Sequence, residues 1–483
     1  MKKLVAECTV PFHSSLLFFS CLLLLLTGNK ATAQKTGSLK YNAIYSGIPW
    51  FDDRGNVLSA HAACIIREND RYYLFGERHS DTSNAFEGFN CYSSTDLYNW
   101  KFESIALARQ DSGKLGPDRV GERVKVMKCP STGEYIMYMH ADNIQYKDQS
   151  VGYAVAKNIT GPYIFQGSLL FNGSPVRKWD MGAFQDKDGS GYILIHGGDI
   201  FKLSSNYKSI EEQVAKGFAP GSESPAILRK DSLYYWLGSH LTSWERNDNF
   251  YYTATSLKGP WTSRGKFTPD GTLTWNSQTT FVLPVEGSKE TTFMFMGDRW
   301  SFPKQASAAT YVWQPLTVAG TSLSIPVYKE AWRVNTSTGI VTAAAVASQT
   351  INNTDTKTIN YSGQWKHTAD IIDVTGSDTQ GDSFSIQFNG KQVGLYFLST
   401  PNSGYARVQI TNKKGITVLT CLIDLYCNYP LNTLKFLSPL MTKDAYTLTL
   451  TVMGEHSKWS DKKKADYGSK GDSVALHKIV IIN

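Results

Sequence analysis

Long apolar runs are missing from this 483-residue chain beyond its first 33 residues. The N-terminal segment has a basic start, an apolar run with five consecutive leucines, and Ala-Thr-Ala before Gln34. This pattern predicts a cleaved secretory signal over residues 1–33. A lipid anchor on Cys21 fits less well, because Phe18, Phe19 and Ser20 precede it. No other run approaches the roughly 20 apolar residues of a membrane span. We therefore expect an exported protein, periplasmic or extracellular, without a transmembrane segment.

Cysteine is also scarce. Five cysteines follow the predicted cleavage site: Cys64, Cys91, Cys129, Cys421 and Cys427. An odd number argues against a full disulfide framework. Cys64 and Cys129 lie in apolar runs and are predicted core residues, whereas Cys421 and Cys427 are close enough to pair. Because no CxxC pair or His/Cys cluster occurs, the sequence predicts no metal or other cofactor. It leaves open whether a structural calcium ion lies in the central channel of the propeller predicted below.

Helical periodicity and concentrated charge are nearly absent. The segment from Ser209 to Lys216 is at best one short helix. The net charge of +7 is spread along the chain, and its one local run near residue 463 predicts a solvated loop, not a nucleic-acid surface. Aromatic residues make up 13% of the chain, which suits both all-β folds and sugar-binding surfaces.

Five segments of the chain share one form: an apolar strand, a short polar turn and an aromatic-rich strand. They begin at Ala62, Arg123, Met181, Ser224 and Thr279. A second repeat, seen in "CYSSTDLYNWKF", "GYAVAKNITGPYIF", "FKLSSNYKSI" and "YYTATSLKGPWTS", lies out of phase with the first. Two repeats at this spacing predict units of about four strands, and hence a five-bladed β-propeller over residues 34–334. A large sandwich with chance similarity among its strands is the alternative.

The chain changes character after Val334. Residues 335–354 are small and polar, which is typical of a linker. Residues 355–483 contain runs that alternate with period two between Gly, Asn and Asp turns, which predicts a β-sandwich of the jelly-roll type. The predicted fold class is thus all-β, with a propeller followed by a sandwich.

Carboxylates precede three of the five repeated hairpins. They are Glu122, Asp180 and Glu223, whereas the fifth hairpin has Gln278 and the first has His61. Carboxylates that converge at a propeller mouth repel one another and lose solvent, so at least one pKa rises. A protonated carboxylic acid is what glycoside hydrolysis needs as its general acid. The alternative is that each acid caps a turn or pairs with Arg123, Lys125 or Arg299.

Aromatic residues follow several of these hairpins. Tyr146 and Trp244 suit a sugar, whose C–H faces pack on aromatic rings while its hydroxyls need polar partners. Trp300 is predicted to pack within a blade.

Five strings carry a family resemblance: "AHAACIIRENDRYYLFGE", "ERVKVMKCPSTGEYIMYMHADNIQY", "DMGAFQDKDGSGYIL", "ESPAILRKDSLYYWLGSHLTSW" and "SQTTFVLPVEGSKETTFMFMGDRW". Over residues 60–316 the chain resembles glycoside hydrolase family 43, and most closely its exo-β-1,3-galactanase branch. The resemblance implies a five-bladed propeller and an inverting reaction. The second domain resembles galactose-binding-like jelly rolls.

The resemblance also implies roles for individual residues. Glu223 would be the general acid, and Asp180 would tune its pKa. Gln278 would handle the water, as the amide or as its imidic acid tautomer, in place of the aspartate that most of the family has in "AHAA". The implied sugar ligands are Glu77, Glu122, Tyr146, Thr242 and Trp244, and His61 is a further candidate. An amide is a very weak base, so we expect Gln278 to orient water by accepting a hydrogen bond, with Glu122 receiving the proton. One departure is Trp179, where the branch has a basic residue.

The expected function is release of galactose from β-1,3-galactan, the backbone of type II arabinogalactan, by a monomer that binds a polysaccharide and no nucleic acid. Two alternatives remain open at this stage. One is another activity of family 43, an α-L-arabinofuranosidase or β-xylosidase, against which the missing aspartate counts. The other is a carbohydrate-binding propeller without catalysis, against which the joint presence of Glu223, Asp180, Glu122 and Gln278 counts.

Overall fold

The chain folds almost entirely into β-strands. The computed structural model describes residues 40–344, 349–461 and 464–482, so the predicted signal segment lies outside the described residues. Within these ranges the fold class is all-β, as predicted, and no helix is both long and apolar enough to span a membrane.

Five mainly antiparallel sheets follow one another along the first part of the chain, after the short strand β1 (Ile44–Tyr45). Sheet 1 contains β2 (His61–Glu68), β3 (Arg71–Glu77), β4 (Gly88–Ser94) and β5 (Lys101–Ala108). Sheet 2 contains β6 (Arg119–Lys128), β7 (Tyr135–Asn143), β8 (Ser150–Ala156) and β9 (Ile164–Ser168). Sheet 3 contains β10 (Leu170–Phe171), β11 (Ser174–Pro175), β12 (Met181–Gln185), β13 (Gly191–Ile195), β14 (Asp199–Leu203) and β15 (Ile210–Ala215). Sheet 4 contains β16 (Ser222–Lys230), β17 (Leu233–His240), β18 (Phe250–Ala254) and β19 (Thr262–Lys266). Sheet 5 contains β20 (Gln278–Glu286), β21 (Thr291–Arg299) and β22 (Thr310–Pro315).

Short elements complete this part. They are two 3₁₀ turns (Gly113–Leu115 and His196–Gly198), one helical turn (Leu273–Asn276), the hairpin β23 (Thr317–Ala319) with β24 (Ser322–Ser324), and the strands β25 (Ala331–Val334) and β26 (Val341–Ala343). β25 pairs with β1 on one side and with β26 on the other.

Each of the five predicted hairpins is present, and the first strand of each lies at one edge of its sheet. We call the first strands of these hairpins, β2, β6, β12, β16 and β20, the inner strands. Each inner strand contacts the next one, and β20 contacts β2. Two of the tight turns use Asn69 and Asp231 in the left-handed region (φ 55° for both), as such turn residues favour.

The predicted short helix from Ser209 to Lys216 is wrong, because this segment contains strand β15. β15 pairs with β14 through a bulged antiparallel ladder, and the exposed residues Glu211 and Glu212 follow the buried Ile210. On its other side β15 pairs with β10 through one residue pair only, Phe171 with Ile210. Most of β15 therefore lacks a second strand neighbour, so its residues stay polar and the periodicity of a strand is weak.

Backbone N–H groups at the starts of the inner strands are satisfied by side chains of the preceding sheet in the ring. At this point the register of strand pairing changes in β2, β6, β16 and β20, so each of these strands bulges away from its neighbour. The junction hydrogen bonds are Ala62 N to Asp298 Oδ2 (3.0 Å), Arg123 N to Glu77 Oε1 (2.7 Å), Ser224 N to Asp180 Oδ2, and Thr279 N to Asn249 Oδ1 (2.7 Å). An unpaired buried N–H is costly, so these acceptors fix how neighbouring sheets meet.

The second part consists mainly of two larger sheets. One contains β27 (Gln349–Asn352), β29 (Lys366–Ala369), β30 (Asp373–Ser377), β32 (Gln392–Ser399), β35 (Leu431–Leu437) and β39 (Val474–Ile482). The other contains β28 (Ile359–Ser362), β31 (Ser383–Gly390), β33 (Tyr405–Asn412), β34 (Thr417–Asp424) and β36 (Asp444–Val452). A small hairpin pairs β37 (Lys458–Ser460) with β38 (Asp466–Gly468).

The two parts share a core. One cluster of buried apolar residues extends from Ile44 and Trp313 in the first part to Phe384 and Ile479 in the two larger sheets. The segment predicted as a linker contributes β26 to the first part and β27 to the second. All five cysteines among the described residues are buried and unpaired, and Cys427 Sγ lies 3.4 Å from Asn276 Oδ1.

Replacing Asp298 tests the junction hydrogen bonds. Asp298→Ala leaves the buried Ala62 N–H without its acceptor, so we expect the free energy of unfolding to fall by about 1–3 kcal/mol. Denaturant unfolding measures the change. Asp70→Ala removes a carboxylate whose side chain is fully exposed in the first hairpin turn, and should have almost no effect. Equal destabilisation by both variants would contradict a role for the junction at Asp298.

Candidate active site

Four residues directly precede the junction N–H groups at one end of the inner strands: His61, Glu122, Glu223 and Gln278. We call these residues, together with Trp179 at the corresponding place in sheet 3, the heads. The residue after the head has a positive φ in four sheets: Ala62 (50°), Arg123 (58°), Asp180 (33°) and Ser224 (57°). Such values are rare outside glycine, so they identify equivalent positions. The predicted equivalence of Asp180 with Glu122 and Glu223 is therefore wrong by one residue, and Trp179 is the head of sheet 3.

Two heads are in direct contact. The Gln278 amide donates from Nε2 to Glu223 Oε1 at 2.8 Å and to Ser239 Oγ at 3.2 Å. Its Oε1 accepts from Arg123 Nη2 at 2.7 Å and from Trp300 Nε1 at 2.9 Å. Arginine and tryptophan nitrogens can only donate, so the orientation of the amide is determined by its partners. Both lone pairs of Oε1 are occupied, which leaves it no free position to accept a hydrogen bond from water.

Asp180 joins this network from the junction position. Its Oδ1 lies 2.5 Å from Arg123 Nε, while Oδ2 accepts from the backbone N–H and the hydroxyl of Ser224. The carboxylate therefore contacts the residue that follows Glu223. The same guanidinium contacts Gln278, so Arg123 connects the two sides of the site.

The surroundings of Glu223 favour its protonated form. Burial, followed by the negative charge of Asp180, raises the pKa of Glu223 well above its usual value, although Arg123 and the Gln278 amide oppose this change. Because Oε1 already accepts a hydrogen bond from Gln278, an acidic proton would be carried on Oε2.

The surroundings of Glu122 have the opposite effect. Its Oε1 accepts from Tyr146 Oη at 2.7 Å, and its Oε2 lies 3.1 Å from His140 Nδ1. Burial tends to raise the pKa of Glu122, but His140 and Tyr146 together lower it. Burial would also lower the pKa of His140, but hydrogen bonds with Asp142 and Glu122 raise it to about 9. Glu122 is thus ionised beside a charged imidazole at neutral pH.

Sheet 1 contributes two buried residues to the predicted sugar ligands. Glu77 accepts the junction N–H of Arg123 through Oε1, and its Oε2 lies 2.8 Å from His79 Nε2. His61 is 1% exposed and stacks on the ring of Tyr311, with centroids 4.3 Å apart. Its Nδ1 lies 3.3 Å from Asp298 Oδ1. This packing leaves His61 little surface for contact with a sugar.

Sheet 4 presents Thr242 and Trp244 on the loop after β17. Trp244 stacks on Phe302, with centroids 4.6 Å apart and planes 3° from parallel. Thr242 Oγ1 donates to the Glu245 carbonyl and accepts from Asn247. The loop is thus held closed by its own hydrogen bonds.

Four residues of this site were not assigned a catalytic or binding role from the sequence. Arg123 and Trp300 orient Gln278, His140 contacts Glu122, and Asp298 closes the junction between sheets 5 and 1. Strand pairing within the hairpins could have indicated two of them. His140 pairs with the head Glu122, and Asp298 pairs with the head Gln278.

The interior of the ring contains a lysine. Lys125 Nζ donates to the carbonyls of Ala62 (2.9 Å) and Val124 (3.2 Å), and burial lowers its pKa to about 8. Within the described ranges, no group of three or more His, Cys, Asp or Glu side chains is arranged to hold a metal ion. A cavity of about 740 Å³ lies at the other end of the inner strands, lined by residues such as Arg67, Asp186 and Arg229.

Comparison with known proteins agrees with this geometry. The model of the family described as "Glycosyl hydrolases family 43" matches residues 57–266. A solved structure of an exo-β-1,3-galactanase from Phanerochaete chrysosporium with galactose is 27% identical, with a TM-score of 0.68, and the match covers 91% of this chain and 99% of that chain. A structure from Bifidobacterium bifidum s17, proposed to be an exo-β-1,3-galactanase, is 39% identical with a TM-score of 0.55, over 58% of this chain and 95% of that chain.

A curated relative is more distant. The extracellular endo-α-(1→5)-L-arabinanase 2 of Bacillus subtilis (strain 168) is 26% identical over 234 residues, which are 41% of this chain and 46% of that protein. The match thus spans about half the length of that relative. Together the family model and the solved structures show that the chain belongs to family 43 and is a glycoside hydrolase.

Replacing Trp300 tests whether its indole N–H orients Gln278. Trp300→Phe keeps a large ring but removes one donor to Oε1, so we expect kcat to fall about two- to tenfold with little change in KM, as the loss of one hydrogen bond implies. Steady-state kinetics measures the effect. Trp332→Phe is the matched control, because its buried indole N–H donates to the Trp313 carbonyl outside the site. A change confined to KM would contradict this role of Trp300.

Proposed function

We propose that the chain is an exo-acting, inverting glycoside hydrolase that releases galactose from β-1,3-galactan. The observation that carries this proposal is the contrast between two heads: Glu223, whose pKa is raised, and Glu122, whose pKa is lowered. Two carboxyl groups whose pKa values are shifted in opposite directions supply an acid and an ionised partner at the same pH.

The architecture that we propose is a five-bladed β-propeller over residues 34–334, in which the five sheets are the blades. The contacts between successive inner strands, and between β20 and β2, support this arrangement. We further propose residues 335–354 as the connection and residues 355–483 as a sandwich domain of the galactose-binding-like jelly-roll type.

Glu223 acts as the general acid. Its protonated carboxyl donates from Oε2 to the glycosidic oxygen while water attacks the anomeric carbon from the opposite face. Asp180 acts through its charge, since that charge favours the protonated form of Glu223.

Gln278 acts on Glu223 in this mechanism, and not on the water as the sequence led us to expect. Its Nε2 holds Oε1 of the acid, and its own Oε1 is occupied by Arg123 and Trp300. An imidic acid tautomer would place a proton on an oxygen that already faces two obligate donors, which is unfavourable. The proton of the attacking water therefore passes to Glu122, directly or through a relay.

Galactose is the sugar that the surroundings support. Glu77, Glu122, Tyr146, Thr242 and Trp244 combine carboxylates, hydroxyls and one aromatic face, which is what a hexose requires. The Phanerochaete chrysosporium enzyme has been solved with galactose and, as a variant, with β-1,3-galactotriose. The head of the first sheet, His61, is not a carboxylate, which argues against the arabinofuranosidase and xylosidase alternatives.

The decisive experiment incubates the purified protein with β-1,3-galactan, arabinoxylan and arabinan and identifies the products. We expect galactose from the galactan, released initially as the α-anomer, because inversion reverses the β configuration. Proton NMR during the first minutes detects the anomer. Release of arabinose or xylose alone would refute the proposed substrate, and a β-anomer would refute inversion.

Glu223→Gln tests the acid in the same assay. The amide cannot donate an acidic proton, so we expect kcat to fall about 10²–10⁴-fold while calorimetry shows nearly unchanged binding of β-1,3-galactotriose. Glu211→Gln, on an exposed part of sheet 3, should keep full activity. Near-normal turnover by the Glu223 variant would exclude this residue as the acid.

The pH dependence of kcat/KM tests the role of Asp180. Activity needs Glu122 ionised and Glu223 protonated, so the profile should be bell-shaped, with an alkaline limb above the usual carboxyl range. Because the Asp180 charge raises the pKa of Glu223, Asp180→Asn should move the alkaline limb to lower pH. Asp186→Asn alters an aspartate–arginine pair between the same two sheets at their other end, so its profile should match the wild type. An unmoved limb in Asp180→Asn would contradict the tuning role.

A further inference from the structure

The head of sheet 3 is an aromatic residue where the heads on either side are carboxylates. Trp179 follows the exposed β11 segment and directly precedes Asp180, which contacts both Arg123 and Ser224. Sheet 3 lies between sheets 2 and 4 in the ring of inner strands, so Trp179 stands between the heads Glu122 and Glu223. Neither of the roles described for those carboxylates can be taken by an indole.

One face of the Trp179 ring is already covered. It stacks on His196, with centroids 3.7 Å apart and planes 15° from parallel. His196 directly follows β13 and contacts the head Trp179, as His140 within β7 contacts the head Glu122. Trp179 is half-buried, and the stack with His196 is the one ring contact that the described residues give it. Among residues 40–344, 349–461 and 464–482, no aromatic ring stacks on the opposite face.

The His196 side chain supports this stack as a fixed unit. Its Nε2 is buried and has no hydrogen-bond partner among the described residues, so the indole is the contact that orients the imidazole. Burial lowers the pKa of His196, and the ring is therefore neutral at neutral pH. A half-buried indole that is supported on one face by a neighbouring ring can pack against a pyranose ring, because an aromatic body offers a large apolar surface at low conformational cost.

The position of the indole relative to the acid indicates which sugar it contacts. In the proposed function, the galactose to be released is bound by residues of sheets 1, 2 and 4, namely Glu77, Glu122, Tyr146 and Trp244. Glu223 must face the glycosidic oxygen, so the sugar on the far side of that oxygen lies next to the acid. Trp179 is the neighbouring head on the sheet 3 side of Glu223, and it is not among those ligands.

We propose that Trp179, supported by His196, is the aromatic platform for the sugar in the leaving-group subsite. This inference rests on the proposed function, since it assumes that Glu223 is the acid. The ligand class is a pyranose residue joined through a β-linkage to the galactose that is released. The platform provides binding in the ground state and the transition state alike, so it acts on KM and not on kcat.

Kinetics of Trp179 variants on β-1,3-galactobiose, together with inhibition by free galactose, tests the proposal. We expect Trp179→Ala to raise KM for the disaccharide about five- to tenfold with kcat nearly unchanged, while the inhibition constant of galactose stays at the wild-type value. Trp179→Phe should recover most of the lost affinity. An equal rise in the galactose inhibition constant would overturn the assignment to the leaving-group subsite, and an unchanged KM in a folded Trp179→Ala protein would overturn the platform itself.

Trp261→Ala is the matched control, because Trp261 also stacks on one aromatic ring, that of Phe218, but lies beside the outer strand of sheet 4. It should alter thermal stability and leave KM unchanged. Failure of this inference can be distinguished from failure of the proposed function. If the wild type hydrolyses a xylo- or arabino-oligosaccharide and not galactobiose, the proposed substrate fails, and the same KM and product-inhibition criteria are applied with that oligosaccharide and its released sugar.

Discussion

The bulge at the start of four of the five inner strands turns a backbone N–H away from its own sheet. In a buried ring that N–H must find an acceptor, and a neighbouring sheet supplies it from a side chain. Asp298, Glu77, Asp180 and Asn249 fill this place at four junctions. The acidic character of the site follows in part from this requirement, because three of the four acceptors are carboxylates. Their second oxygens remain available for His61, His79 and Arg123, so the groups that join the sheets also determine the electrostatics of the site.

Arg123 shows how closely support and chemistry are combined. Its backbone belongs to a junction, and its guanidinium contacts both Asp180 and Gln278. The positive charge opposes the rise in the pKa of Glu223, whereas burial and Asp180 promote it. The pKa of Glu223, the proposed acid, is therefore set by opposing charges as well as by burial. Gln278 holds one oxygen of this carboxyl group in place, a role that suits an amide far better than proton transfer.

The sequence predicted the all-β class, the five hairpins and the position of the turns, because these depend on local periodicity and turn residues. It placed Glu122, Glu223 and Gln278 correctly at the starts of hairpins. It misaligned Asp180 by one residue, since the bulge and the positive φ that define the position are features of the backbone. It also missed Trp300 and His140 as partners of Gln278 and Glu122, because these contacts depend on cross-strand register and side-chain direction. Strand β15 was misread because its apolar residues Ile210 and Val214 are four positions apart, a spacing that is also typical of a short amphipathic helix.

The second part of the chain contacts two loops beside the site, one after β17 and one after β21. Glu245, next to Trp244, is buried and accepts from Tyr426 Oη at 2.9 Å and from the Gly468 N–H at 3.2 Å. The Arg246 guanidinium lies 4.8 Å from the centre of the Tyr426 ring. Phe302, on which Trp244 stacks, accepts from the Lys458 N–H through its carbonyl. Both members of this aromatic pair are thus held by the second part, and a buried carboxylate left without its partners would be costly. The second part of the chain therefore directly supports the loop that carries Trp244, a proposed sugar ligand.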